Sequence, residues 1–191
     1  MSHLVTILMS IKCRESLQQS LQTRFELVAK LDGLNLLVDK SQIPINESFD
    51  EYRQDVRFIY NPETESYSLN ADLWYLDLVY KCSFYQELQK EYAKRWAYLQ
   101  AQRLGFDVHE VPGDDGTIKF VFASPTGQVE AQLNQEGKLQ LGVNGVFGEG
   151  CLQFTQALES AAGSVEQRVH TPDFYQEQQV YYANQQQVGG W

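Results

Sequence analysis

Cys151 is the residue best placed to do chemistry. It follows the loop Gly145-Val-Phe-Gly-Glu-Gly150 and opens a stretch with helical spacing that runs to Ala162. At a helix N-terminus, unpaired backbone N–H groups and the macrodipole favour a thiolate, the form a nucleophile, a redox thiol or an anion cradle requires. A nucleophile also needs a base, and no histidine lies nearby in sequence; only the fold could bring His109 or His170 to it. The plainer reading is a small buried cysteine behind a tight glycine turn. The same loop lacks the Lys-Ser/Thr pair of a phosphate loop and the strand–helix–strand setting of a dinucleotide fingerprint, so no cofactor is expected there. His3, His109 and His170 show no ligand spacing with one another or with Cys13 and Cys82, and no metal site is expected. Asp114 and Asp115 sit between glycines, where turn chemistry explains them.

Binding has stronger candidates than catalysis. Lys90, Lys94, Arg95 and Arg103 form a basic strip on one helix of an acidic chain, although Glu87 and Glu91 interleave with them as on any solvated helix face. The run from Trp74 and Tyr75 to Tyr80, continued by Phe84 and Tyr85, is a stacking platform or pigment contact, or else packing for a core and a sheet edge. The surface expected to meet a partner comprises Lys90, Lys94 and Arg95 with Trp96, and Phe174 and Tyr175 further on.

These residues need elements to hold them. His3 to Met9 predicts a strand, Ile11 onward a helix, and Glu26 to Leu31 a second strand. Residues 32–51 predict a loop with a short strand at Leu36 to Val38. Val56–Tyr60 and Tyr67–Leu73 flank the turn Asn61-Pro-Glu-Thr-Glu65 as a hairpin. The clearest helix runs from Phe84 to Leu104, with Ser83 and Gln86 placed as a capping box and Gly105 as its stop. Its apolar stripe is Phe84, Leu88, Tyr92, Trp96 and Leu99. Hairpins follow at 107–111 with 117–122 and at 128–133 with 138–143. A helix over 151–162 and a strand at 165–169 complete the order. The fold class is therefore α+β: an antiparallel or mixed sheet with two main helices on one face, ferredoxin-like in its first half, plus a small C-terminal ββαβ extension. The domains predicted are 1–124, 125–171 and a flexible Gln/Tyr-rich tail over 172–191.

Composition sets the remaining limits. The chain has 191 residues and a formal net charge of −10, with 43% hydrophobic and 13% aromatic residues, ample for a packed core. That charge argues against nucleic-acid binding, which relies on Lys and Arg to neutralise phosphates. No apolar run approaches the ~20 residues that cross a bilayer, and the first residues do not read as a signal peptide. Three scattered cysteines predict no disulfide framework and fit a reducing compartment.

Met1-Ser-His3 with Ile7, Ala71-Asp-Leu73 and Gln89-x-x-Tyr92-Ala93 resemble the hypothetical chloroplast reading frame 35 family, an uncharacterised group of cyanobacteria and red-algal plastids, over roughly residues 1–122. Residues 127–175 are similar to a second small uncharacterised family, through Gly145-Val-Phe-Gly148-Glu-Gly-Cys151, Thr155, Leu158-Glu159, Ala162-Gly163 and Pro172-x-Phe174-Tyr175. The chain thus looks like a fusion of the two. The resemblance implies a cyanobacterial cytoplasmic setting, reaching to the thylakoid surface, and a link to photosynthesis or stress upkeep. It carries over no catalytic residue. The function expected is a non-catalytic accessory or adaptor protein that binds another protein. The alternative is a thiol-dependent enzyme or redox sensor using Cys151.

Overall fold

The computed structural model describes residues 3–113, 117–125, 127–134, 137–144, 150–172 and 174–175. It is an α+β structure with four α-helices and two antiparallel sheets among the described residues. The chain divides into two compact units, one of residues 10–99 and one built from the first strand and the described residues from Gln100 on.

In the unit of residues 10–99, α1 (Arg14–Phe25) begins where Cys13 Sγ accepts a hydrogen bond from Ser16 N at 3.5 Å. It ends at Glu26, whose left-handed backbone (φ 60°) lets its own N–H and that of Leu27 bond back to Gln22 and Leu21. Residues 26 and 27 therefore close the helix instead of opening a strand, and the strand expected at 26–31 is only β2 (Lys30–Asp32). It leads into β3 (Asn35–Val38), β4 (Val56–Asn61) and β5 (Ser66–Asn70), an antiparallel sheet in chain order. Cross-strand partners Leu36 and Phe58, and Val38 and Val56, are all buried.

The reading of 67–73 as one strand is corrected by α2 (Leu73–Tyr80). Asp72 caps it, with Oδ1 accepting from Tyr75 N at 3.0 Å. Seven of its eight residues are bulky and apolar, so no stripe marks its period. The long helix α3 (Phe84–Leu104) has the predicted bounds and stops at Gly105, φ 70°. Its first amide, Phe84 N, donates to Asp77 Oδ1 at 2.7 Å. The expected Ser83 cap is replaced by a carboxylate, a stronger acceptor and a better match for the positive end of the helix. The core gathers Leu17, Leu21, Phe25, Phe84, Leu88, Tyr92 and Trp96.

The other unit is a six-stranded sheet in the order β10-β1-β9-β8-β7-β6, formed by β1 (His3–Met9), β6 (Asp107–Pro112), β7 (Ile118–Ser124), β8 (Gly127–Leu133), β9 (Lys138–Asn144) and β10 (Gly163–His170). Registry lines up apolar rows across it. Ile7, Leu139, Leu133 and Ile118 form one, Val5, Leu141, Ala131 and Phe120 a second, and Val143, Val129 and Phe122 a third. All are buried. Helix α4 (Gly150–Ala162) packs against β1, β9 and β10 and buries Leu158 and Ala162.

A ferredoxin-like first half would keep β1 beside the next strands. Instead β1 pairs with β9 and β10, while β2 to β5 form their own sheet. The C-terminal ββαβ segment extends the sheet of β1, β6 and β7. A boundary at 124/125 falls between β7 and β8, which pair along seven positions.

Candidate functional site

The residues nominated from sequence do not converge. Lys90 Nζ lies 3.0 Å from Glu87 Oε1, and Arg95 Nε lies 3.0 Å from Glu91 Oε1, so these cations are held by their own helix. Arg95 also donates to Thr23 Oγ1 at 3.1 Å, tying α3 to α1, and Lys94 is half-buried on α3. Trp96 is fully buried, so its place in a partner surface is corrected: helical spacing puts it on the core stripe with Leu88 and Tyr92. Phe174 is buried too, stacked on His170 with ring centroids 4.0 Å apart, and serves its own unit; Tyr175 beside it is exposed. Cys151 lies in the first turn of α4, but its side chain is outside the described residues. So are Gly145 to Glu149, Asp114, Asp115 and residues 176–191. Among the other thiols, burial pushes Cys82 up, the opposite of activation. No cluster of metal-ligating side chains occurs among the described residues.

A surface that the nomination missed does assemble. Tyr75, buried on α2, donates its hydroxyl to Pro44 O at 3.0 Å and accepts from Asn46 N at 3.1 Å. Those bonds pin the loop in which Ile45 is 65% exposed and from which Phe49 and Tyr52 reach Trp74. Phe49 and Tyr52 meet the Trp74 ring edge-on, with centroids 5.3 and 5.5 Å away. The three rings stay 38–54% exposed, and Leu73 and Leu78 on α2 are exposed as well. Leu78 stands one turn beyond Trp74 on the same helix face. Exposed apolar residues scattered singly need no explanation, whereas a contiguous aromatic cluster marks a contact site. Acidic groups lie within the cluster's own loop. Asp50 pairs with Arg53 at 2.8 Å, while Glu47 and Glu51 are exposed and have no ion-pair partner among the described residues. An exposed indole whose partner loop also carries unpaired carboxylates suits a cation accompanied by apolar groups.

A second feature lies in the other unit. A cleft of about 480 Å³ between α4 and β10 is lined by Leu152, Gln156, Ser160 and Val165 around Glu159 and Arg168. Glu159 is buried; its Oε1 accepts from Thr155 Oγ1 at 2.6 Å and its Oε2 from Arg168. Arg168 stands opposite Val5, on the row that α4 covers. With both carboxylate oxygens engaged, Glu159 ties helix to sheet and is not a base waiting for a proton.

A family described as a protein of unknown function (DUF2997) matches residues 122–175. The match takes in β8, β9, α4, β10 and the aromatic pair Phe174 and Tyr175, so this part of the chain carries an uncharacterised domain. No curated protein and no solved structure matches the chain. No helix among the described residues is long and apolar enough to cross a membrane.

Proposed function

We propose that this protein is a non-catalytic adaptor whose Trp74 cluster binds an apolar, basic segment of another protein. The observation that carries the reading is the exposed contact of Trp74 with Phe49 and Tyr52, whose loop also carries exposed Glu47 and Glu51. Aromatic anchors provide contact area at low entropic cost, and an arginine or lysine over the indole adds a cation–π term that the carboxylates reinforce. The setting we propose is the cyanobacterial cytoplasm up to the thylakoid surface, in photosynthesis or stress upkeep. It rests on the likeness of residues 1–122 to the hypothetical chloroplast reading frame 35 family.

The test is a peptide array probed with the full-length chain. Peptides pairing Arg or Lys with Leu or Phe bind, acidic counterparts do not, and Trp74→Ala weakens binding roughly tenfold or more, as expected of a central aromatic anchor. Cys151→Ser leaves binding unchanged; an enzyme or redox sensor built on that thiol predicts a reactive group lost in the same variant. If Trp74→Ala and the wild type bind the same peptides equally, the reading fails.

A further inference from the structure

On the same unit, a different cleft gathers cations that no function yet uses. It has a volume of about 400 Å³ and is lined by Lys40, Arg53, Gln54, Asp55, Arg57 and Asn70. The chain as a whole carries a net charge of −10 with only 15 Lys and Arg, yet three of these converge here. The architecture explains how. Lys40 opens a single 3-10 turn (Lys40–Gln42), Arg53 ends a second one (Asp50–Tyr52), and Arg57 lies on β4 directly opposite Asn70 of β5.

The carboxylates nearby are already committed. Asp55 Oδ1 accepts from Lys40 N at 3.0 Å, and its Oδ2 stands 3.6 Å from Arg57, beyond a hydrogen bond. Asp50 holds Arg53 at 2.8 Å and leaves that side chain largely buried, which fixes the guanidinium in one orientation. Lys40 Nζ has no carboxylate within ion-pair distance among the described residues. Among the lining residues three cations face a single carboxylate, Asp55, and Gln54 and Asn70 add neutral donors; Asp50 and Asp39, outside the lining, are engaged by Arg53 and by Ser41 N. Guanidinium groups match the oxygens of a phosphate in pairs, and an ammonium group adds a point charge. A cleft of this size exceeds what a bare ion fills and falls in the range of small-ligand sites.

We propose that this cleft binds the phosphate group of a phosphorylated small molecule, with Arg57 and Lys40 as principal contacts and Arg53 as the preset third. The site is independent of the adaptor reading, since none of its residues belongs to the Trp74 cluster.

The test is an NMR titration of the isotope-labelled full chain with pyrophosphate, adenosine monophosphate and citrate, each at fixed ionic strength so that screening is constant. Saturable shifts at Lys40, Gln54, Arg57 and Asn70 are expected with both phosphate probes. The double variant K40Q/R57Q should weaken them roughly tenfold or more, as the loss of two charge-assisted contacts requires. Both substituted side chains lie outside the core, and an unchanged far-UV spectrum checks that the fold is kept. Absence of saturable shifts, equal affinity in wild type and double variant, or binding of citrate alone would overturn the assignment.

Discussion

Replacing Tyr92 by phenylalanine removes one oxygen and leaves two backbone donors without their acceptor. The Tyr92 ring is 1% exposed, and its hydroxyl oxygen accepts from Lys12 N and Cys13 N, each at 3.0 Å, just ahead of α1. An unmade bond to a buried donor costs ~1–3 kcal/mol, and Lys12 and Cys13 are half-buried, so water regains part of the loss and the expected total is about 2 kcal/mol near neutral pH. A second readout comes from alkaline titration. Burial outweighs the two N–H bonds and pushes the phenol from 10.0 up to about 12. The folded-state value lies above the unfolded one, so the unfolded chain gives up its proton first. Stability is intact below about pH 10 and drains as pH rises towards 12. At about pH 11 the wild type has lost on the order of 1 kcal/mol on this group's account, while the variant has no phenol there to titrate. The gap between them, about 2 kcal/mol near pH 7, therefore narrows to about half or less by pH 11. Tyr80, also raised to about 12, is common to both proteins and cancels. Urea unfolding followed by tryptophan fluorescence measures the gap, with Trp96 reporting from the same unit. A gap that stays constant with pH would show that the phenol titrates at its ordinary value. No gap near neutrality would show that α1 does not depend on the hydroxyl.

Glu159→Ala leaves Arg168 facing an empty site and removes the carboxylate acceptor of the Thr155 hydroxyl. Breaking a buried pair costs roughly 3–5 kcal/mol, but the Arg168 side chain is 38% exposed, so about 2 kcal/mol is expected, seen as faster hydrogen exchange along β10. Glu159→Gln keeps an acceptor for Thr155 and should cost less. Trp96→Ala should lower stability by about 3–5 kcal/mol, as loss of a fully buried indole does, whereas Trp74→Ala should change it by under ~1 kcal/mol; equal effects in thermal melts would contradict the burial that separates them. Gly105→Ala should cost about 1 kcal/mol through backbone strain alone, since φ is 70° and nothing lies within 4 Å of the added methyl; a neutral substitution would show that α3 ends differently in solution.

Sequence legibility followed periodicity. α3 and the two hairpins of the larger sheet were readable because their apolar positions repeat at 3.6 or 2 residues and glycines or prolines bound them, and β1 because it is a short, apolar run with β-branched residues. α2 was not, because an eight-residue segment that is apolar all round has no period to read. Partnering was also hidden: β1 joins strands more than a hundred residues away, and nothing local in His3–Met9 says so. Of the candidate surface, Trp74 was noticed as one of an aromatic run. What selects it from Tyr75 is burial, decided by a loop 30 residues upstream that Tyr75 pins and Trp74 covers only in part. The placement of Trp96 failed for the same reason in reverse, since adjacency to Arg95 in sequence puts it on a different helical face.

The way each exposed apolar feature is treated bears on which surface is used. An open sheet edge invites pairing with other chains, and both edges of the six-stranded sheet are blunted. β10 is exposed along nearly its whole length and carries charged and polar residues such as Glu166 and Gln167, and β6 exposes His109 and Glu110 and ends at Pro112. Val165 and Val169 are exposed on β10, but charged and polar residues separate them. In the Trp74 cluster Phe49 and Tyr52 each meet the Trp74 ring while all three stay open to solvent, and exposed Glu47 and Glu51 lie in the same loop as Phe49 and Tyr52. Negative charge in the loop of an aromatic patch repels acidic surfaces, including other copies of this chain with its net charge of −10, and leaves the patch open to cations. A surface arranged to avoid self-association yet keep its rings exposed is better suited to a basic partner than to solvent, and that supports contact at Trp74 as the function to test first.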